Sequence, residues 1–322
     1  MDLVRALQAG PGGQAAVLRP HAGRLAALHA AGVPTATAPF GGPLDFVTAP
    51  AIGRVLRAQQ ARVALQWMNR PGRFIPRGPW ARIGRLGGYY DLKYYRGCDH
   101  LVANTADIAR WIVAEGWPAG AVSHIPNFAE PGPQAPVSRA SLDTPEGAPL
   151  LLVMGRLHPV KAHDVALEVL ARTPEAWLWA AGSGELEGEL KALAARLGVA
   201  ERVRWLGWRS DASALYRAAD VCLFPSRFEP LGNVVIQAWA HGLPVVAAAA
   251  AGPAALIADG EDGLLAAVDD VEALAAAVRR LIDDPALRAR LAEAGRAKAA
   301  AQFRRGAVVA RWRDLFARFG EG

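Results

Sequence analysis

The residues best suited to chemistry lie between positions 225 and 247, in a segment opening Pro225-Ser226-Arg227-Phe228-Glu229-Pro230-Leu231-Gly232-Asn233 and closing Gly242-Leu243-Pro244-Val245-Val246-Ala247. A carboxylate at Glu229 precedes Gly232-Asn233, where a helix is expected to start. The unpaired N–H groups of such a start suit an anionic or hydroxyl-rich ligand. Gln237 follows one or two turns into that helix. A capping Asn233 beside an exposed Glu229 would explain parts of this pattern but not the whole of it.

A second segment follows the apolar run Leu150-Leu151-Leu152-Val153-Met154. It reads Gly155-Arg156-Leu157-His158-Pro159-Val160-Lys161. Glycine permits close backbone approach, and two cations five residues apart around a helix start could converge on a diphosphate. An ordinary turn carrying two solvated cations reads equally well from these residues alone. Gly182-Ser183-Gly184-Glu185 is a weaker glycine-rich turn that could serve only as a cap.

The third cluster spans 70–96, where Arg70, Arg73, Arg77, Arg82, Arg85, Lys93 and Arg96 face a single acid, Asp91. Phe74, Trp80, Tyr89, Tyr90, Tyr94 and Tyr95 are interleaved with them. Aromatic rings stack on sugar faces and guanidinium forks hold phosphate, so the stretch fits an anionic sugar. A helix with tyrosines in the core and solvated arginines is the plainer alternative. Asn69 and Arg70 follow an expected strand and join Arg73, Arg77 and Arg82 as candidates for holding such a sugar. No Asp-x-Asp motif occurs, and Asp269-Asp270 and Asp283-Asp284 sit where helix ends would use them as caps. His158, His163 and His241 have no neighbouring pattern of zinc ligands. No metal and no cofactor are therefore expected.

These residues must be positioned by alternating strands and helices, the mark of parallel βαβ units. In the first half, strands are expected near 15–18, 34–38, 63–66, 101–103 and 122–125; in the second, at 150–154, 176–181, 202–206, 221–224 and 245–247. Helices are expected near 161–172, 185–197, 211–219, 233–241, 270–283 and 286–301. A final amphipathic helix at 306–319 carries Val308, Val309, Trp312, Leu315, Phe316 and Phe319 at helical spacing. The turn-rich segment 127–148 reads as a linker. The expected architecture is two doubly wound domains, 1–126 and 149–303, facing each other across a cleft. In such domains ligands bind beyond the carboxyl ends of the strands. The chain opens on Asp2–Gln8, which reads as the end of a helix, so the first strand and its glycine-rich turn are expected to be missing.

Composition narrows the class further. The chain has 322 residues, 52% hydrophobic and 20% charged, which fits a globular protein of two domains. Its positive charge is lopsided: residues 1–126 carry 14 Lys/Arg against 6 Asp/Glu, and the remainder 22 against 24. A basic half points to an anionic ligand or surface. Only Cys98 and Cys222 are present, which excludes a disulfide framework and fits a reducing compartment. No apolar run approaches the roughly 20 residues needed to cross a bilayer. The first residues lack the apolar core of a secretion signal. A cytoplasmic protein is expected, and no nucleic-acid module is recognisable.

With these segments in hand, the chain resembles the family 4 retaining glycosyltransferases of GT-B fold. Their signature sets a Glu, seven intervening residues and a second Glu between a Pro-Ser and a Gly-x-Pro-Val-Val-Ala. Gly155-Arg156-Leu157 with Lys161 resembles the family's diphosphate-binding turn, and Ile125-Pro126-Asn127 its usual approach to the linker. The resemblance implies two Rossmann-like domains, with the last helix crossing back onto the first. It implies a nucleotide-sugar donor whose diphosphate is met by Gly155, Arg156, Lys161 and the backbone of Leu231, Gly232 and Asn233. Glu229 would grip the transferred sugar. The second signature position would hold the ribose, and here it is Gln237, which accepts and donates hydrogen bonds but loses the charge-assisted part. The histidine frequent in the family's first domain has no clear counterpart.

The implied reaction moves a sugar from a nucleotide to a hydroxyl acceptor with retained configuration. The acceptor would be a cell-envelope or lipid-linked sugar, of lipopolysaccharide type, reached at the cytoplasmic face of the inner membrane. A nucleotide-sugar epimerase shares the architecture but calls for more carboxylates and a histidine in the first domain. A degenerate nucleotide-sugar-binding protein would fit Gln237 and the missing strand.

Overall fold

The computed structural model describes residues 2–320 other than Pro11 and Pro43. The chain forms two compact units: residues up to Asn127 together with those from Arg305 onward, and Phe128–Arg304.

The first unit opens with α1 (Asp2–Gln8), β1 (Ala16–Leu18), α2 (Ala22–His29), β2 (Thr35–Thr37) and α3 (Thr48–Ala58). It continues with β3 (Val63–Trp67), β4 (Ala81–Leu86), β5 (His100–Ala103), α4 (Ala106–Ala114) and β6 (Val122–His124). Strands β1 and β2 pair as one parallel ribbon, and β3-β4-β5-β6 form a second parallel sheet. The 70–96 stretch is not a helix. A 3-10 turn over Arg70–Arg73 leads into β4, and a second 3-10 turn covers Leu92–Tyr95. Phe74, Trp80 and Tyr95 are core residues here, while Tyr89 is exposed. Strand β4 escapes a reading by alternation because Arg82, Gly84 and Arg85 interrupt its apolar face.

The second unit contains β7 (Leu150–Met154), α5 (His163–Ala171), β8 (Trp177–Ala181), α6 (Glu187–Arg196), β9 (Val203–Gly207), α7 (Ala212–Ala218) and β10 (Val221–Phe224). It ends with α8 (Asn233–Ala240), β11 (Val245–Ala248), α9 (Ala251–Leu256), β12 (Leu264–Ala266), α10 (Val271–Asp283) and α11 (Pro285–Gln302). Helix α12 (Arg305–Ala317) belongs to the first unit, where Val308, Val309, Trp312 and Leu315 are buried and the helix packs on α1. Asp270 and Asp284 each accept a hydrogen bond from the backbone three residues on, capping α10 and α11.

The six strands of the second unit are parallel and ordered β12-β11-β10-β7-β8-β9. Side chains alternate across this sheet. Leu151, Val153, Leu178, Val221, Leu223 and Val246 join one apolar layer with α5, α6 and α10. Leu150, Leu152, Trp179, Cys222, Phe224 and Val245 join the other with α7 and α8. The order reverses between β7 and β10. The chain runs outward from β7 to β9, then returns to lay β10 on the opposite side of β7. The crevice at the carboxyl ends of those two strands is where such a sheet takes a ligand.

Residues 128–148, the turn-rich segment between the halves, are held against this unit. Arg139 donates to Ala218 O at 2.7 and 3.0 Å, and the Trp179 indole donates to Thr144 Oγ1 at 2.9 Å. Thr144 and Trp179 are both buried. Thr144→Val keeps the shape but strands the indole N–H, and should lower the stability of the chain by about 1–3 kcal/mol. Urea unfolding followed by tryptophan fluorescence checks this.

Candidate functional site

The loops after β7 and β10 meet at the switch point. Lys161 Nζ lies 2.6 Å from Glu229 Oε2, and Glu229 Oε1 accepts from Gly232 N at 3.2 Å. The ammonium also stands 5.8 Å from the centre of the Phe224 ring. Lys161 and Glu229 side chains are 25% and 14% exposed, so the pair is largely withdrawn from water yet reachable. Gly232, at φ +92°, is the residue before α8, in a conformation that glycine adopts without strain. The cap is thus Gly232 and not Asn233, which is the exposed first residue of α8. Leu231 is buried. The first N–H groups of α8 therefore start beside the carboxylate.

The two loops are fastened together by a residue that the sequence did not single out. Arg227 donates through Nε to Asp269 Oδ1 at 2.7 Å, through Nη1 to Pro159 O at 2.9 Å, and through both terminal nitrogens to Asp164 at 3.0 and 2.6 Å. Its backbone N–H donates to Val160 O at 2.9 Å. Burial pushes the Asp164 carboxyl up, but the Arg227 hydrogen bonds and charge outweigh that and hold it below its ordinary value. The position of Arg227, two residues before Glu229 in a short polar segment, was the available signal.

The glycine-rich turn after β8 also has a firm role. A side chain on Gly182, at φ +150°, would stand 1.8 Å from Gly155 O. Its bareness lets the β7 turn pack directly upon it, with Gly155 N donating to Ala181 O and Leu157 N to Ser183 O. Gly155 in turn lies against the Lys161 stem.

Arg156 does not converge on this pair. It is exposed and bound to Glu185 at 3.0 Å, with His158 Nε2 3.6 Å from the same carboxylate. Gln237 Oε1 accepts from Tyr216 Oη at 3.0 Å. Tyr216 stacks on His241, whose ring nitrogens reach Gln237 O and Ser213 Oγ. The structure thus brings together Gly155, Lys161, Glu229, Leu231, Gly232 and Asn233, and places Arg156 and Gln237 in contacts of their own.

In the first unit, Asn69, Arg70 and Arg73 line a hollow of about 560 Å3 together with Arg19, Phe40 and Tyr94. Arg19 follows β1 and was missed because it lies some fifty residues from its neighbours. Asn69 Oδ1 accepts from Tyr95 Oη at 3.1 Å. Arg82 faces an adjoining hollow with Arg73 and Lys93, and is tied to Gly72 O. Arg77 is exposed and lines neither.

Parallel sheets with a ligand crevice at a switch point define a doubly wound α/β protein, and the comparisons sharpen this class. The structure resembles a glycosyltransferase from Rickettsia africae with a TM-score of 0.89 at 16% identity, covering 100% of this chain and 94% of that one. It resembles Anabaena Alr3699/HepE, solved in complex with UDP and glucose, with a TM-score of 0.83 at 20% identity, covering 98% and 94%. The fold is GT-B. The family model for glycosyl transferases group 1 matches residues 134–298. The lipopolysaccharide core biosynthesis glycosyltransferase LpsE of Rhizobium meliloti is 38% identical over 277 residues, 85% of this chain and 81% of that protein. LpsD of the same organism is 36% identical over 269 residues, 83% and 78%. This chain belongs to the group 1 glycosyl transferases, and is a nucleotide-sugar-dependent glycosyltransferase.

His163 opens α5 two residues after Lys161 and is buried, with neither ring nitrogen hydrogen-bonded among the described residues. Burial pushes its pKa down to about 4. Above pH 6.5 both folded and unfolded chains leave this ring neutral. Between 6.5 and about 4 the unfolded chain takes up a proton that the folded one refuses, so folding stability falls as pH drops. The loss at the acid end of that window should be about 3 kcal/mol. His163→Leu should show a shallower loss of stability than the parent across that window in chemical unfolding.

Proposed function

We propose that this chain is a family 4 retaining glycosyltransferase that moves a sugar from a nucleoside diphosphate donor to a hydroxyl of an anionic cell-envelope saccharide. The observation that carries this reading is the meeting of Lys161, Glu229 and the α8 N-terminus at the switch point. A diphosphate would draw Lys161 away from Glu229 and also accept from the first N–H groups of α8. The carboxylate so released would accept hydrogen bonds from the transferred sugar. As the bond to the anomeric carbon breaks, charge builds on the leaving diphosphate, where the Lys161 ammonium and helix N–H groups stabilise it. With retention, the acceptor hydroxyl attacks from the leaving-group side, and a donor phosphate oxygen takes its proton.

Arg156 would join once the donor arrives. Its pair with Glu185 is exposed on both sides, and such pairs are worth roughly 0–1 kcal/mol, so exchanging carboxylate for diphosphate costs little. Gln237 would hold the ribose through its amide. The Arg19, Arg70 and Arg73 hollow would receive the acceptor, in keeping with the lipopolysaccharide core role named for the LpsE and LpsD relatives. Two buried, unpaired cysteines suit a reducing, cytoplasmic setting. Among the described residues no helix is long and apolar enough to cross a membrane, so access to a lipid-linked acceptor would be peripheral. Cationic side chains take the place of a metal, and chelators should leave turnover unchanged.

Lys161→Met should lower kcat/KM for the donor by roughly 100- to 1,000-fold and weaken UDP binding. Glu229→Gln should keep UDP binding and lose turnover, because its carboxylate meets the sugar. Calorimetric titration with UDP and a donor-consumption assay on UDP-glucose separate the two variants. Undiminished turnover in Lys161→Met would refute the reading.

A further inference from the structure

The carboxyl ends of the four strands β3 to β6 bring together a set of groups that the site above does not use. Trp67 ends β3, Arg85 lies near the end of β4, Asn104 follows β5, and Asn127 follows β6. The Arg85 guanidinium stacks over Trp67, 4.8 Å from the ring centre, and donates to Asn127 Oδ1. Its side chain is largely removed from water, and burial lowers its pKa. No carboxylate is hydrogen-bonded or ion-paired to it among the described residues, and the only groups acting on its charge are the Tyr90 and Tyr95 hydroxyls. A cation withdrawn from water without a counter-charge costs several kcal/mol.

A second polar group lies beside it: Asn104, which is 4% exposed and turns its amide nitrogen toward Gly87. The two side chains border one small space. A methyl group placed on Gly87 would stand 3.5 Å from Arg85 Nη1, 3.5 Å from Asn104 Nδ2 and 3.8 Å from Tyr90 Oη. All three are donors, and the space is open because residue 87 has no side chain. A guanidinium without a counter-charge, facing a space bordered by two further donors at strand ends where α/β sheets take ligands, is what an anion-binding position looks like before its ligand arrives.

We propose that Arg85, Asn104 and Tyr90 around Gly87 form an anion subsite that takes a phosphate or carboxylate substituent on the acceptor sugar. This rests on the acceptor reading above for its biological use, though not for its chemistry. The guanidinium supplies a two-pronged, charge-assisted grip, and the amide and phenol supply further N–H and O–H donors. Stacking on Trp67 and the bond to Asn127 fix the guanidinium plane in advance. The subsite would discriminate between a charged acceptor sugar and its neutral counterpart, since only the charged one settles the Arg85 charge.

The test is calorimetric titration of the full chain with glucose 6-phosphate, glucuronate and, as the neutral control, glucose, with and without saturating UDP. At least one anionic sugar should bind better than glucose, and which one tells phosphate from carboxylate. Arg85→Lys keeps the charge but loses the fork, and should weaken that binding roughly 10- to 100-fold. Gly87→Val fills the space without touching any charge and should do the same, so the proposal stays testable if one variant folds poorly. Arg110→Gln, at an exposed arginine of the same unit paired only with Asp107, should leave it unchanged. Equal binding of all three sugars, or unchanged affinity in Arg85→Lys and Gly87→Val, would overturn the subsite. Displacement of the anionic sugars by UDP would also overturn it, by assigning Arg85 to the donor. Failure of UDP itself to bind would count against the donor reading alone, because the titrations without UDP still report on Arg85.

Discussion

Strand β10 lies against β7, and that adjacency decides what the second unit can do. The chain spends β8 and β9 on one side of β7 before β10 arrives on the other. Two loops far apart in sequence therefore share one crevice, and Lys161 meets Glu229 across 68 residues. Each charge is partly withdrawn from water and offsets the other there. In the pair each group is neutralised by the other. A donor that supplies both an anion and a set of hydroxyls can replace both halves at once.

Such an exchange needs a frame that stays put while its contents change. Arg227 provides it, spanning Asp164, Pro159 O and Asp269 and so linking the loops after β7, β10 and β12. None of its contacts is made to Lys161 or Glu229, so a ligand can separate those two without disturbing the clamp. The Gly182 turn does similar work from the other side by seating the Gly155 backbone. Arg156 is built in the opposite way. It stands on the surface, held by one exposed carboxylate, and can move. The cations that looked alike in the sequence therefore divide into one withdrawn from water against Glu229 and one exposed at the surface.

What the sequence disclosed follows from how local the physics was. The all-apolar β7 and β10 runs, the glycine and helix start around Gly232, and the capping positions of Asp270 and Asp284 are each settled within a few residues, and each was legible. The pairing of Lys161 with Glu229 was legible only through resemblance, because nothing in the spacing says that β10 returns beside β7. The Arg227 clamp was hidden for the same reason: its partners lie in the β7–α5 segment and after β12, far from it in the chain. Strand β4 was lost because arginines and a glycine broke its alternation, and those same arginines made the segment look like a polar helix. Arg19 escaped because the fold, and not the sequence, brings it to Arg70 and Arg73.

The first unit shows how exposure sorts like residues into different work. Arg19, Arg70 and Arg73 sit at the surface, where water and salt screen them, so their attraction for an anion is weak and fades within about a Debye length. Arg85 carries the same charge, but Trp67 and its strand neighbours have taken much of its water away. Its interaction with an anion is screened far less, and it acts only on what can reach it. Exposed arginines can gather an anionic acceptor without telling one from another, whereas a half-desolvated guanidinium with a fixed plane can choose. That β4 places Arg85 beside Gly87 and next to the strand bearing Asn104 is therefore the feature of this unit that could carry selectivity.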